Sequence, residues 1–124
     1  MAKRILIVDD YVDGLEMWEL CLRLHGYDVQ TTTDGKQALR MAAADHPDLI
    51  VLDLELPGAS GTEVARQLRA DVDTESIPLI ASTGTARSSD IESAKRSGFD
   101  AILIKPYEPT RLVEEIDRLL ALRT

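Results

Sequence analysis

The sequence predicts an α/β protein with one parallel five-stranded β-sheet and helices on both of its faces. The chain has 124 residues, which is the usual size of a single domain. Five short apolar segments recur along it, and segments of helical length with polar and apolar positions separate them. This alternation through five units, with right-handed crossovers between parallel strands, leaves few other arrangements.

The five apolar segments are the predicted strands. Four are runs of Val, Ile, Leu and Ala, one of them opened by Pro78, and such runs are typical of strands buried on both faces of a parallel sheet. The second run alternates apolar and polar residues, so we expect it at or near an edge of the sheet. The predicted strands are residues 5–8, 27–31, 49–52, 78–81 and 101–104.

The first two predicted helices have recognisable ends. Gly26 is a stop signal for the first helix, and Asp34 is a candidate N-cap for the second, which His46 and Pro47 terminate. Their apolar positions recur every three or four residues and are expected to face the sheet. These positions are Met17, Leu20, Cys21 and Leu24 in the first helix, and Ala38, Leu39 and Ala42 in the second.

The last three helices differ in how much apolar surface they offer. The third follows Ser60 and Gly61, and the fifth opens with Glu108 and Pro109. In the fourth, residues 87–97, Ile91 is the single large apolar residue, so we expect loose docking. The predicted apolar positions are Val64, Leu68 and Val72 in the third helix, and Leu112, Val113, Ile116, Leu119 and Leu120 in the fifth; Glu114, Glu115 and Arg118 are expected on its solvated face.

Charge and composition exclude several classes of protein. The net charge is −8 and no basic run occurs, which disfavours direct binding of nucleic acid. The first apolar run has four residues, too few for a signal-peptide core or a membrane span, so a cytoplasmic protein without membrane insertion is expected. The single cysteine, Cys21, cannot form an internal disulfide and is expected in the core.

Polar and charged residues follow four of the predicted strands. Asp9 and Asp10 come after the first strand, Asp53 after the third, Thr83 after the fourth and Lys105 after the fifth. In parallel α/β sheets the carboxyl ends of the strands lie at one edge, and ligands bind there. We therefore expect these five side chains to meet.

This set of residues is suited to a metal ion and a phosphoryl group. Three adjacent carboxylates repel one another unless a cation neutralises them, and oxygen donors without His or Cys favour Mg²⁺. Lys105 and Thr83 offer a cation and a hydroxyl to phosphoryl oxygens, and Asp53 is the candidate nucleophile or anchor. Taken singly, each residue is better explained by a helix cap, a turn or an exposed strand end, and only the ordered set of all of them favours a functional site.

The ordered set resembles the receiver domains of response regulators in two-component signalling, above all single-domain chemotaxis regulators. The resemblance extends over the whole chain, and it implies a flavodoxin-like, doubly wound (βα)5 three-layer sandwich with strand order 2-1-3-4-5. The motifs that carry it are Ile5-Leu6-Ile7-Val8-Asp9-Asp10, Asp34-Gly35 before Ala38-Leu39, Pro47-Asp48-Leu49-Ile50-Val51-Leu52-Asp53-Leu54, Leu56-Pro57-Gly58 with Gly61, and Asp100-Ala101 with Lys105-Pro106-Tyr107.

The resemblance also implies a role for each site residue. Asp53 accepts a phosphoryl group from a phosphohistidine, and Lys105 and Thr83 contact its oxygens. The Lys105-Pro106 bond is expected to be cis. Receiver domains usually carry an aromatic residue three positions before the lysine, where this chain has Ile102. The implied magnesium ligands are Asp9, Asp10, Asp53 and the backbone carbonyl of Glu55.

The expected function is a switch and not an enzyme. On this interpretation residues 1–124 form a stand-alone receiver domain without an output domain, a monomer or weak dimer. A sensor histidine kinase or a histidine phosphotransfer protein phosphorylates it, and the phosphorylated form controls another protein. The alternatives are a phosphorelay shuttle and a pseudo-receiver that acts without phosphorylation.

Two other classes of protein fit the residues less well. A haloacid-dehalogenase-like phosphatase would carry Asp-x-Asp after the first strand, whereas Asp9 and Asp10 are adjacent. A flavodoxin-like cofactor binder needs a phosphate-binding loop where this chain places negative charge.

Overall fold

A computed structural model describes residues 2–122 as strictly alternating strands and helices. Each strand has four or five residues and each helix has nine to thirteen. None of the helices in this described part is long and apolar enough to cross a bilayer. In chain order the elements are β1 (Arg4–Val8), α1 (Val12–Leu24), β2 (Asp28–Thr32), α2 (Gly35–Asp45), β3 (Leu49–Asp53), α3 (Gly61–Ala70), β4 (Leu79–Thr83), α4 (Ser88–Arg96), β5 (Ala101–Ile104) and α5 (Pro109–Ala121).

The five strands form one parallel sheet in the order β2-β1-β3-β4-β5, which confirms the predicted fold class and strand order. The alternating second run is an edge strand, as predicted, although it spans Asp28–Thr32 and so begins one residue later than expected. Strand β5 is the other edge. In the register of the sheet, Asp53 of β3 lies beside Ser82 of β4, and Thr83 lies beside Ile104 of β5.

Two apolar clusters lie on opposite faces of the sheet and produce the three layers. Successive strand residues point to opposite faces, so Leu6 joins one cluster and Ile7 the other. One cluster packs beneath α2, α3 and α4, and Ala94 is the one buried residue that α4 contributes to it. The other packs beneath α1 and α5. The small buried surface of α4 agrees with the loose docking expected from its sequence.

The predicted N-cap of α2 is confirmed, and the structure shows a second cap at the start of α3. The Lys36 amide donates to Asp34 Oδ1 at 3.2 Å, and the Glu63 amide donates to Ser60 Oγ at 3.2 Å. His46 ends α2 in the left-handed region, with a φ of 47°.

The apolar stripe predicted for α1 is wrong for most of its members. Met17, Leu20 and Leu24 are exposed, and Leu15 and Leu22 are the buried residues. The sequence of α1 holds two apolar stripes, and only the one that continues through the half-buried Trp18 faces the sheet. Cys21 lies between the two stripes and packs, half-buried, against the cluster under α1 and α5.

Val72 was predicted to belong to α3, and this prediction is also wrong. The helix ends at Ala70, and Val72 is exposed. The chain leaves the helix at Asp71, because the buried Thr74 hydroxyl donates to the Leu68 carbonyl at 2.7 Å and satisfies the end of the helix.

Glu115 of α5 is buried, which corrects the expectation that it lies on a solvated face. Its carboxylate accepts hydrogen bonds from Arg118 at 2.6 Å and from Arg111 at 2.9 Å. The hydrogen bonds from Arg118, helped by those from Arg111, lower the pKa of Glu115 against the opposing effect of burial. The five predicted apolar positions of α5 are buried or half-buried as expected.

Replacing Glu115 with glutamine is expected to lower the free energy of unfolding at pH 7 by about 1 kcal/mol, because both arginines are half exposed and water screens them. The folded pKa of Glu115 lies below its unfolded value, so this stabilisation is present above the unfolded pKa and is lost as the pH falls through the folded one. Urea denaturation at neutral and acid pH measures both effects. Glu114→Gln, on the exposed face of the same helix, is the matched control. If both variants lost the same unfolding free energy, the ion pairs of Glu115 would not be the source of the stabilisation.

Candidate functional site

The predicted site residues meet at one edge of the sheet. Asp9 and Asp10 directly follow β1, Asp53 is the last residue of β3, Thr83 is the last residue of β4, and Lys105 directly follows β5. All five strands run in the same direction, so these positions lie at the carboxyl ends of neighbouring strands.

Three carboxylates form the negative half of the site. Asp9, Asp10 and Asp53 each offer an oxygen, and these oxygens lie within 4.8 Å of one another. Asp9 and Asp53 are buried, whereas Asp10 is exposed. Backbone amides fix one oxygen of each buried carboxylate: the Tyr11 amide donates to Asp9 Oδ1 at 3.0 Å, and the Glu55 amide donates to Asp53 Oδ1 at 2.9 Å. The Oδ2 atom of each therefore remains available to other partners.

Lys105 faces both of these free oxygens. Its Nζ lies 3.3 Å from Asp9 Oδ2 and 3.4 Å from Asp53 Oδ2, longer than the roughly 2.7–2.9 Å of a tight charged hydrogen bond. Its backbone amide donates to the Thr83 carbonyl at 2.7 Å. The Lys105-Pro106 bond is cis, as predicted.

The charges of the site shift the pKa values of its central pair. Burial raises the pKa of Asp53, and the nearby Asp9 adds to this effect, whereas the Glu55 amide and the Lys105 ammonium oppose it. For Lys105, burial disfavours the charged form, but Asp53 and Asp9 together outweigh it and raise the pKa. The site therefore holds more negative charge than one lysine neutralises.

The chemistry of the donors fits Mg²⁺. Every candidate ligand among Asp9, Asp10 and Asp53 is a hard carboxylate oxygen, and this cluster contains no His or Cys. Two buried carboxylates and one exposed carboxylate leave one side of the cluster open to water and to a phosphoryl group. The implied fourth ligand, the backbone carbonyl of Glu55, follows Asp53 by two residues.

Thr83 connects the site with the start of α4. Its side chain is buried, and its Oγ1 accepts a hydrogen bond from the Thr85 amide at 3.2 Å. The Thr85 hydroxyl in turn donates to Asp90 Oδ2 at 3.1 Å, within the first turn of α4. A cleft of about 430 Å³ opens beside them. Its lining includes Leu54, Glu55, Thr62, Thr83, Thr85 and Asp90.

Gly61 lies against the backbone of the candidate nucleophile. A Cβ at this position would come within 2.4 Å of the Asp53 carbonyl oxygen and 2.7 Å of Leu54 Cα. The sequence marks this glycine only as part of a motif, and its close approach to Asp53 is visible only in the structure.

Sequence reasoning missed one pair of site residues. Ser82 Oγ and the Tyr107 hydroxyl are 2.9 Å apart, and the Tyr107 ring stacks on Trp18 with centroids 5.4 Å apart. Burial raises the pKa of Tyr107, so its hydroxyl stays protonated at neutral pH. The signals in the sequence are that Ser82 directly precedes Thr83 and that Tyr107 ends the motif that begins with Lys105.

Comparison with known families gives one clear match. Residues 5–117 match the model of the response regulator receiver domain family. Among curated proteins, the polar-differentiation response regulator DivK of Brucella suis is 35% identical over 120 residues, which cover 97% of this chain and 98% of DivK. The DNA-binding response regulator MtrA of Mycobacterium tuberculosis is 39% identical over 116 residues, 94% of this chain. The chain spans about half the length of the MtrA proteins that it matches.

Solved structures agree with this match. The chemotaxis response regulator CheY4 of Vibrio cholerae has a TM-score of 0.90 and 27% identity, covering 95% of this chain and 98% of CheY4. The receiver domain of sensor histidine kinase PA1611 from Pseudomonas aeruginosa has a TM-score of 0.90 and 31% identity, covering 98% of this chain and 99% of that domain. In that structure a magnesium ion is coordinated in the active-site cleft.

Proposed function

The chain belongs to the response regulator receiver domain family, and on that premise we propose that it accepts a phosphoryl group on Asp53 and thereby controls a protein partner. Receiver domains are signalling domains that interact with histidine kinases and with downstream targets. The observation that carries the proposal is the state of Asp53: a buried carboxylate with one oxygen fixed by the Glu55 amide and the other facing Lys105.

The proposed reaction moves one phosphoryl group from nitrogen to oxygen. The free Oδ2 of Asp53 attacks the phosphorus of a phosphohistidine, the new O–P bond forms as the P–N bond breaks, and the imidazole keeps the electron pair and takes up a proton. The Glu55 amide orients the carboxylate for in-line attack, and the Lys105 ammonium donates to the phosphoryl oxygens. Bound Mg²⁺ would neutralise charge on the same oxygens. Asp9, Asp10, Asp53 and the Glu55 carbonyl are the proposed ligands.

Thr83 is the proposed link between phosphorylation and the surface. Its hydroxyl can donate to a phosphoryl oxygen on Asp53 while its oxygen accepts from the Thr85 amide. A shift of Thr83 would pull on Thr85 and its hydrogen bond to Asp90 at the start of α4. Ile102 occupies the place of the usual switch aromatic and packs against the cluster under α4, so the loop after β4 is the proposed route here.

Phosphorylation is therefore expected to change the protection of α4 in hydrogen exchange. The helix buries only Ala94, so its amides open at a small free-energy cost that new contacts at Thr83 can alter. Exchange measured with and without Mg²⁺ and beryllofluoride, an aspartyl-phosphate mimic, should differ over residues 85–97 and stay constant in the buried strand β3. Identical protection of residues 85–97 in both states would contradict the proposed route.

We propose a cytoplasmic response regulator that resembles DivK in extent more than it resembles MtrA. DivK matches this chain along nearly the whole length of both proteins, whereas MtrA is about twice as long. The proposed partners are a sensor histidine kinase or histidine phosphotransfer protein as donor, and a downstream protein that prefers the phosphorylated form. The proposed domain spans residues 1–124, acts as a monomer or weak dimer, and catalyses only its own phosphorylation and dephosphorylation.

An intact-mass experiment tests the proposed function. Incubation with Mg²⁺ and a small acyl phosphate should add one phosphoryl group to the parent protein. The same incubation should add none to Asp53→Ala and none to the parent protein without metal. Failure of the parent protein with acyl phosphate, with phosphohistidine donors and with beryllofluoride would overturn the proposal in favour of a pseudo-receiver.

A further inference from the structure

A pair of hydroxyl groups lies in the apolar layer directly beneath the site. Ser82 is buried, and its Oγ is 2.9 Å from the hydroxyl of the half-buried Tyr107. Ser82 points to the face covered by α1 and α5, opposite to the face of Thr83, because neighbouring strand residues alternate. Neither residue belongs to the proposed phosphoryl or metal contacts.

The pair joins the segment that carries Lys105 to the strand beside Asp53. Ser82 is the register partner of Asp53, and its carbonyl accepts from the Leu54 amide at 3.2 Å. Tyr107 follows Lys105 by two residues. Two hydrogen bonds therefore hold the Lys105 segment to the end of β4. The Lys105 amide donates to the Thr83 carbonyl, and the Tyr107 hydroxyl is hydrogen-bonded to the Ser82 hydroxyl.

The contacts of the Lys105 ammonium are longer than these two hydrogen bonds. Its Nζ is 3.3 and 3.4 Å from two carboxylates, and a lysine stem has four flexible carbons. The place of the ammonium therefore depends on how firmly the backbone of residues 105–107 is held. We propose that the hydroxyl pair of Ser82 and Tyr107 positions Lys105 for the phosphoryl group on Asp53. This inference rests on the proposed function.

The structure allows the hydroxyl to be separated from the ring. The aromatic ring of Tyr107 stacks on Trp18 at 5.4 Å, and a phenylalanine keeps that contact while it removes only the hydroxyl. Ser82→Ala removes the other half of the pair. The two positions therefore form a double-mutant cycle in which packing is almost constant.

The first test is the rate of phosphorylation by acyl phosphate at saturating Mg²⁺. Tyr107→Phe and Ser82→Ala are each expected to lower the rate constant about three- to tenfold, since small misplacements of an assisting group are costly. The double variant should lose no more than the worse single variant. Tyr27→Phe, which removes a hydroxyl bonded to Asp117 of α5, is the matched control and should keep the parent rate. Full rates in both single variants, or additive losses in the double variant, would overturn the inference.

A second comparison asks whether the pair acts through Lys105. In a Lys105→Ala background, Tyr107→Phe should leave the residual rate unchanged, because there is no ammonium left to position. A purely structural role of Tyr107 would instead lower thermal stability and would reduce the phosphorylation rate by the same factor in the parent and in the Lys105→Ala background. Such a loss in the Lys105→Ala background would show that Tyr107 does not act through Lys105.

The mobility of the lysine gives a readout that needs no phosphorylation. In the metal-free protein, ¹³C relaxation of the Lys105 Cε methylene should report greater motion in Tyr107→Phe and Ser82→Ala than in the parent and in Tyr27→Phe. Unchanged motion would overturn the positioning inference even if Asp53 is phosphorylated. If the parent accepts no phosphoryl group, the proposed function fails, and this measurement still decides whether the pair holds the lysine.

Discussion

Replacing Lys105 with alanine is expected to slow phosphorylation of Asp53 by about 100- to 1,000-fold, the usual cost of removing one donor that stabilises transition-state charge. The ammonium is the one side-chain cation within 3.4 Å of Asp53 among residues 2–122. Lys105 lies against Asp9 as well. Without its ammonium, the repulsion between the Asp9 carboxylate and the negative charge on the transferring group would not be offset by this side chain. The rate constant can be measured by intact mass at saturating Mg²⁺.

The control for this experiment is Lys36→Ala, which removes an exposed lysine from the first turn of α2. It changes the net charge equally and should phosphorylate at the parent rate. Equal losses in the two variants would mean that net charge matters and that the place of Lys105 does not. A parent-like rate in Lys105→Ala would remove the lysine from the proposed mechanism.

Replacing Gly61 with alanine is expected to lower the free energy of unfolding by about 1–3 kcal/mol, the range for forcing extra atoms into a packed region. The added Cβ would meet backbone atoms of Asp53 and Leu54 at 2.4 and 2.7 Å, and backbone cannot swing aside as a side chain can. The same displacement should move the Asp53 carboxylate and slow its phosphorylation. Urea denaturation measures the first effect and intact mass the second.

Gly84→Ala is the matched substitution for Gly61→Ala. A Cβ on Gly84 would meet only the flexible end of the Glu55 side chain, at 3.8 Å. It should therefore change the unfolding free energy by less than about 0.5 kcal/mol. If Gly61→Ala proved as mild as Gly84→Ala, the close approach behind Asp53 would not be a real constraint.

The sequence predicted the fold class and the place of the site because both depend on short-range patterns, whereas the strand order was implied by the family resemblance. Unbroken apolar runs require strands buried on both faces, and the residue that ends each parallel strand must lie at the same edge of the sheet. For this reason Asp9, Asp53, Thr83 and Lys105 could be grouped without knowledge of any distance. The predicted helix cap at Asp34 is equally local.

Most of the features that sequence reasoning missed depend on packing between distant segments. Helix α1 has two apolar stripes, and only contact with the sheet selects the stripe of Leu15 and Leu22. Glu115 is the exception, because the two arginines that bind its carboxylate lie three and four residues away on its own helix. Ser82 and Tyr107 are 25 residues apart, and no spacing rule connects them.

The most direct test of the central claim is to identify the residue that carries the phosphoryl group. After incubation with Mg²⁺ and acyl phosphate, borohydride reduction converts a phosphorylated aspartate to homoserine, which peptide sequencing by mass spectrometry can locate. We predict homoserine at position 53 and unmodified aspartate at positions 9 and 10. Homoserine at position 9 or 10, with position 53 intact, would contradict the assignment of Asp53 as the phosphoryl acceptor.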